Sequence, residues 1–175
     1  MNRKILLPLA TVVAAGAIAV GSGASFSSTT GNTISAVTAG SLKHTNSKDG
    51  AAIFTIPNMK PGDTVNGSLV LTNTGTLPAD FSLTETSSSN TFVAGSDLSL
   101  DIVDVTANAT VYSGTFGGLT DNVKNAIGTW QPGAAHTFRF TVKLSQDAPN
   151  TDQGKTAGAT YTWDSVQLSG TTTDQ

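Results

Sequence analysis

The sequence feature that most constrains the fold is the strict apolar/polar alternation of residues 136–144, HTFRFTVKL. Phe138, Phe140, Val142 and Leu144 share one side of an extended chain, and polar or charged residues separate them. Successive side chains of a β-strand point to opposite faces, so this spacing predicts a strand with one buried face. A sheet that covers a hydrophobic core is therefore expected here.

The same period of two recurs along much of the chain, with Gly, Pro, Asn and Asp between the runs. The run that ends at Ile102 shifts its phase at Val103, which predicts a bulge or a strand end. A polar turn is predicted at residues 43–50, where Asp49-Gly50 favours a tight reversal. Strands are predicted at residues 34–42, 51–56, 65–73, 79–85, 97–103, 109–116, 136–144 and 156–168.

One segment has helical signals. Residues 120–128 read TDNVKNAIG, with Thr120 as the N-cap, Asp121 in the first turn and Gly128 as the stop. Eight short strands and one short helix predict an all-β fold, a jelly-roll-like antiparallel β-sandwich, over residues 34–170. Residues 171–175 are expected to form a disordered tail.

The N-terminal 24 residues have the organisation of a secretory signal peptide. Two cations precede the apolar run ILLPLATVVAAGAIAVG, and small residues follow it. Cleavage after Ala24 would place Ser22 and Ala24 in the small-residue positions and leave Ser25 as the new N-terminus. Residues 25–33, SFSSTTGNT, then form a flexible arm with a single aromatic residue, Phe26. We expect a secreted protein that no longer spans a membrane.

Charge and cysteine content limit the classes of partner. Loss of the leader lowers the net charge from −3 to about −5, which excludes a nucleic-acid footprint. The chain has no Cys, so packing and sheet hydrogen bonds must stabilise the exported domain. Charged residues make up 12% of the chain, and Ser, Thr, Asn and Gly fill the polar positions. Such a surface does little to keep sheet edges apart, which favours association between chains.

The sequence contains no catalytic signature. His44 and His136 lack the spacing of a zinc helix, and no Gly-x-Ser-x-Gly elbow occurs. Surface histidines are the simplest interpretation, so no catalytic residue, cofactor or resident metal is predicted. A Ca²⁺ site is the alternative to a solvated strand face for Asp97 and Asp101, and it is also considered for Asp147 and Asp152 in the loop before the last predicted strand. Asp97 and Asp101 are expected on one strand face, with Asp104 nearby.

Tyr161 and Trp163 share a face of the last predicted strand. Core packing is the main interpretation for this pair, and a glycan-binding platform is the alternative.

Several segments together resemble the TasA/camelysin family of exported proteins. The resemblance covers most of the chain, and its N-terminal half carries nearly all the specificity. The matching segments are Gly21-Ser22-Gly23-Ala24, Phe26, Ala39-Gly40-Ser41-Leu42, Met59-Lys60-Pro61-Gly62-Asp63, Asn73-Thr74-Gly75-Thr76-Leu77 and Trp163.

This resemblance implies a jelly-roll sandwich, processing by a SipW-type signal peptidase, and self-association into fibres of the biofilm matrix or cell surface. It also implies that the arm from Ser25, anchored by Phe26, adds as a donor strand to a neighbouring subunit. Other matrix components are expected as further partners. Two alternatives stay open: a metalloendopeptidase, since some camelysin-like members carry that description, and a non-catalytic glycan- or surface-binding module.

Overall fold

A computed structural model describes residues 38–55 and 58–172. The predicted leader, the arm, Ile56, Pro57 and the last three residues lie outside the described residues. Within those ranges, no helix is both long enough and apolar enough to cross a bilayer.

The described residues form two antiparallel sheets, which confirms the predicted all-β, jelly-roll-like sandwich. The larger sheet has the strand order β1-β2-β7-β4-β5, and the smaller has the order β6-β3-β8. Short 3₁₀ turns occur at Gly95–Asp97 and Asn150–Asp152. The strands are β1 (His44–Asn46), β2 (Thr64–Asn73), β3 (Ala79–Asn90), β4 (Leu98–Asp104), β5 (Ala109–Thr115), β6 (Lys124–Trp130), β7 (Ala135–Leu144) and β8 (Ala157–Gln167).

The core lies between the facing sides of the two sheets. The strand predicted from strict alternation is β7, the middle strand of the larger sheet, and its four apolar side chains are buried as predicted. Phe81 and Leu83 of β3 and Trp130 of β6 oppose them from the smaller sheet. The predicted phase shift is also confirmed, because the pairing of β4 with β5 changes register between Ile102 and Val103.

The predicted helix over residues 120–128 is wrong. Residues 121–123 form a turn in which Asn122 has a φ of 62°, and β6 begins at Lys124. Gly128 has a φ of 124°, outside the helical region. The apolar face of the helix would have been small, and pairing with β3 buries Trp130 instead. Tertiary pairing therefore overrides a weak local preference.

The predicted strand boundaries before β2 are also wrong. β1 lies inside the predicted turn at residues 43–50, and residues 38–42 and 51–55 form no strand. The hairpin after β2 explains part of this change. Gly75 donates its N–H to the carbonyl of Lys43 at 2.9 Å, and Thr76 donates to that of Ser41 at 2.9 Å. The chain before β1 is thus bound to a loop rather than to a neighbouring strand.

Candidate functional site

Strand β8 is an edge of the smaller sheet. Among the described residues it pairs only with β3, so one side of its backbone has no strand partner there. The strand is eleven residues long and carries Ser, Thr, Ala and Gly at many positions. Long edge strands with few charges are templates for pairing with another chain.

A cleft runs beside this edge, and the wall of its larger cavity is mostly apolar. The cleft consists of two adjoining cavities of about 830 and 520 Å³, which share Ala52, Ile53, Ala159 and Tyr161. Leu98 and Val142 of the larger sheet also line the first cavity. Main-chain groups at an edge combined with an apolar cleft are the two features that bind an extended peptide.

The cleft is also lined by residues 51–54, which are apolar but form no strand. This segment lies so close to β2 that a Cβ atom at Gly67 would sit 2.7 Å from Cδ1 of Phe54 and 2.8 Å from the carbonyl of Ile53. Only glycine fits at position 67 without moving the segment. The missing side chain of Gly67 therefore allows Ile53 and Phe54 to pack directly against β2.

The two aromatic residues of β8 pack toward the core. The ring of Tyr161 lies 5.4 Å from Phe140, and that of Trp163 lies 4.8 Å from Phe138. Both side chains are half-buried, and both contribute to the cleft walls. Their contacts are those that the core-packing interpretation requires.

Comparison with known families gives a match over most of the chain. The model of a family described as camelysin metallo-endopeptidase matches residues 1–107. The chain belongs to the camelysin family. Members of this family are exported proteins.

Two further comparisons add no functional information. No curated protein matches the sequence. Among solved structures, the chain is similar to an ASH/PapD-like domain of human CEP192, PapD-like domain 7, at 14% identity over 73% of this chain and 87% of that one, with a TM-score of 0.30.

The camelysin description implies a catalytic metal, and the described histidines do not supply a site for one. Nδ1 of His44 lies 2.8 Å from the hydroxyl of Ser165, and Nδ1 of His136 lies 2.6 Å from Oδ2 of Asp104. His136 also stacks on Trp130 at 4.1 Å. Within residues 38–55 and 58–172, no three His, Cys, Asp or Glu side chains cluster as metal ligands. Zinc proteins use three or four such ligands, so these residues do not fit zinc.

The structure brings together two of the four acidic residues that sequence analysis singled out, Asp97 and Asp152. Asp97 lies in a 3₁₀ turn, so the expectation that it shares a strand face with Asp101 is wrong. Asp104 is buried, and its Oδ1 accepts the N–H groups of Thr106 and Ala107. Asp147 is exposed. Asp97 instead lies within hydrogen-bonding reach of Asp152, which comes from the loop before β8.

Sequence analysis missed Glu85, the only glutamate of the chain. It is fully buried on β3, directly opposite Tyr161 of β8. The hydroxyls of Ser88 and Tyr161 lie near its carboxylate, but neither oxygen makes a hydrogen bond of good geometry. Burial raises the pKa of Glu85 above its ordinary value, and these hydroxyls offset only part of the increase. Glu85 continues the series Ala79, Phe81 and Leu83 at every second position, and this spacing is the sequence signal that its side chain faces the core.

The buried carboxylate leads to a prediction about pH. Because the pKa of Glu85 is higher in the folded state, its contribution to stability is complete below the unfolded value of about 4.5 and is lost as pH rises through the folded value. Glu85→Gln should therefore stabilise the protein at pH 8 by roughly 1–3 kcal/mol, because the amide keeps the size of the side chain but carries no buried charge. Urea unfolding at pH 5 and pH 8 measures the difference.

Asp49→Asn is the matched control, because it makes the same chemical change in an exposed turn. Equal pH profiles for the wild type and Glu85→Gln would contradict this account of Glu85.

The predicted cleavage residues Ser22, Ala24 and Ser25 and the donor-strand residue Phe26 lie outside the described residues. They stay predictions.

Proposed function

We propose that the exported chain is a structural subunit of an extracellular, biofilm-matrix or cell-surface fibre. The N-terminal arm of one subunit adds as a strand to β8 of the next. The observation that carries this proposal is the edge position of β8 beside an apolar cleft. Strand addition uses main-chain hydrogen bonds for affinity and alternating side chains for register.

The dimensions of the arm fit this role. Residues 25–33 would span about 30 Å when extended, at about 3.3 Å per residue. This length is close to that of β8, which has eleven residues. Phe26 supplies an apolar side chain for the cleft. Donor and acceptor lie on different parts of the subunit, so the contact is head-to-tail and produces a filament unless it closes into a ring.

The charge pattern supports the same assembly. The arm contains no charged residue, and only 12% of the chain is charged. Repulsion between stacked subunits is therefore small. Cleavage by a signal peptidase of the SipW type would release the arm at Ser25.

A matched pair of substitutions on β8 tests the acceptor edge. Ala159 lines both cavities of the cleft, whereas Val166 of the same strand lines neither and is 56% exposed. Ala159→Glu should abolish filaments, because it places a carboxylate where an apolar side chain must insert. Val166→Glu should retain them. Electron microscopy and sedimentation of the exported proteins give the comparison, and filaments of equal abundance in both variants would contradict the proposal.

The second candidate function is a metallo-endopeptidase, which the description of the family favours. Zinc analysis and casein cleavage by the pure exported protein test it. A peptidase of this kind must lose activity with a chelator and with either His44→Ala or His136→Ala. A metal-free and inactive protein removes this candidate.

A further inference from the structure

Two loops bring a pair of carboxylates together at one end of the cleft. Asp97 belongs to the 3₁₀ turn before β4, and Asp152 to the 3₁₀ turn before β8. Backbone bonds fix both positions: Ser145 donates its N–H to the carbonyl of Asp97 at 2.7 Å, and Val93 donates to Oδ1 of Asp152 at 2.8 Å. The pair is therefore held in place by both loops.

The remaining oxygen of each carboxylate has no partner. Asp152 is 8% exposed, and its Oδ2 atom is inaccessible to solvent and accepts no hydrogen bond. The Oδ2 atom of Asp97 is also inaccessible to solvent and accepts no hydrogen bond. Among the described residues, no Lys, Arg or His forms an ion pair with either side chain. The two Oδ2 atoms thus lack a donor, and none of the described cations compensates the two adjacent charges.

Burying two adjacent negative charges destabilises the folded state unless a proton or a cation neutralises them. A shared proton would bridge the two oxygens, but one carboxyl would then have to stay protonated at neutral pH. A divalent cation neutralises both charges and uses both oxygens as ligands.

We propose that Asp97 and Asp152 form a Ca²⁺ site that links the loop before β4 to the loop before β8. Ca²⁺ accepts irregular oxygen coordination and completes its shell with carbonyls and water, whereas Mg²⁺ requires near-ideal octahedral geometry. Because the site has only two protein carboxylates, we expect it to bind Ca²⁺ as weakly as extracellular modules do, with a Kd on the order of 0.1–1 mM. Phe92, Gln153 and Lys155 of the same two loops line the cleft, so the ion would also fix its end.

Calorimetric titration of the exported protein, first treated with EDTA and dialysed, tests this site. We expect one Ca²⁺ ion per chain and a Tm that increases with CaCl₂. An equal concentration of MgCl₂ should have a much smaller effect. Asp97→Asn should weaken Ca²⁺ binding at least tenfold, and it is the preferred variant because Asp97 is only half-buried.

Asp101→Asn is the matched control, since it removes the same charge from a half-exposed position of β4 and should bind Ca²⁺ as the wild type does. Two results would overturn the site: no Ca²⁺ response in the wild type, or an equal response in Asp97→Asn. If the wild type does not respond to Ca²⁺ and Asp97→Asn has the higher Tm, the two carboxyl groups share a proton instead. The proposed fibre assembly does not depend on these outcomes.

Discussion

Replacing Phe140 with alanine is expected to lower the free energy of unfolding by about 3–5 kcal/mol. Phe140 is fully buried on β7, the middle strand of the larger sheet. Its ring lies 5.4 Å from Tyr161 and 6.5 Å from Trp163, so it joins the two sheets. Because the chain has no Cys, no disulfide compensates for the cavity. A loss of this size is a large part of the 5–15 kcal/mol typical of a folded domain.

Urea unfolding followed by Trp fluorescence measures this change. Val166→Ala is the control, because Val166 is a large apolar residue that is 56% exposed on β8. This control should cost less than about 0.5 kcal/mol. Similar losses in the two variants would show that the core does not lie between the two sheets as described.

Replacing Asn73 with alanine is expected to cost about 3 kcal/mol. Asn73 is fully buried at the end of β2, and its amide group is fully used. Its Nδ2 donates to the carbonyls of Leu77 at 3.0 Å and Trp130 at 3.1 Å, and its Oδ1 accepts the N–H of Gly75 at 3.1 Å. Alanine removes the donor from the carbonyls of Leu77 and Trp130, and each lost partner costs about 1–3 kcal/mol before relaxation or water entry. Gly75 keeps its hydrogen bond to the carbonyl of Lys43.

Asn66→Ala on the same strand is the control. Asn66 is exposed and accepts one hydrogen bond, from Thr141 at 2.6 Å. Its loss should change the free energy of unfolding by less than about 0.5 kcal/mol. Chemical denaturation of both variants decides the point, and a change below 1 kcal/mol for Asn73→Ala would refute this role of its amide.

The strands that sequence analysis located well are those with a strong period of two. Phe138 and Phe140 are inward because alternation fixes the face once a residue is known to be in a strand. The helix over residues 120–128 failed because capping signals are local, whereas β6 forms through pairing with β3. His44 was placed in a turn for the same reason, since its strand is only three residues long and depends on β2.

The candidate site was predictable only in part. Alternation placed Tyr161 and Trp163 on one face, but the edge position of β8 follows from strand order, which periodicity does not contain. The approach of Asp97 to Asp152 joins residues 55 positions apart through two loops that have no periodic pattern. Strand addition by the arm remains a proposal that combines a sequence prediction with this geometry.

Cross-linking between subunits is the most direct measurement of strand addition. A photo-reactive benzoylphenylalanine at position 26 would be introduced into the exported protein, and filaments from mixed ¹⁴N- and ¹⁵N-labelled chains would be irradiated and analysed by mass spectrometry. The account predicts cross-links from residue 26 of one chain to residues 157–163 of another. Cross-links confined to the same chain, or to surfaces away from β8, would contradict it.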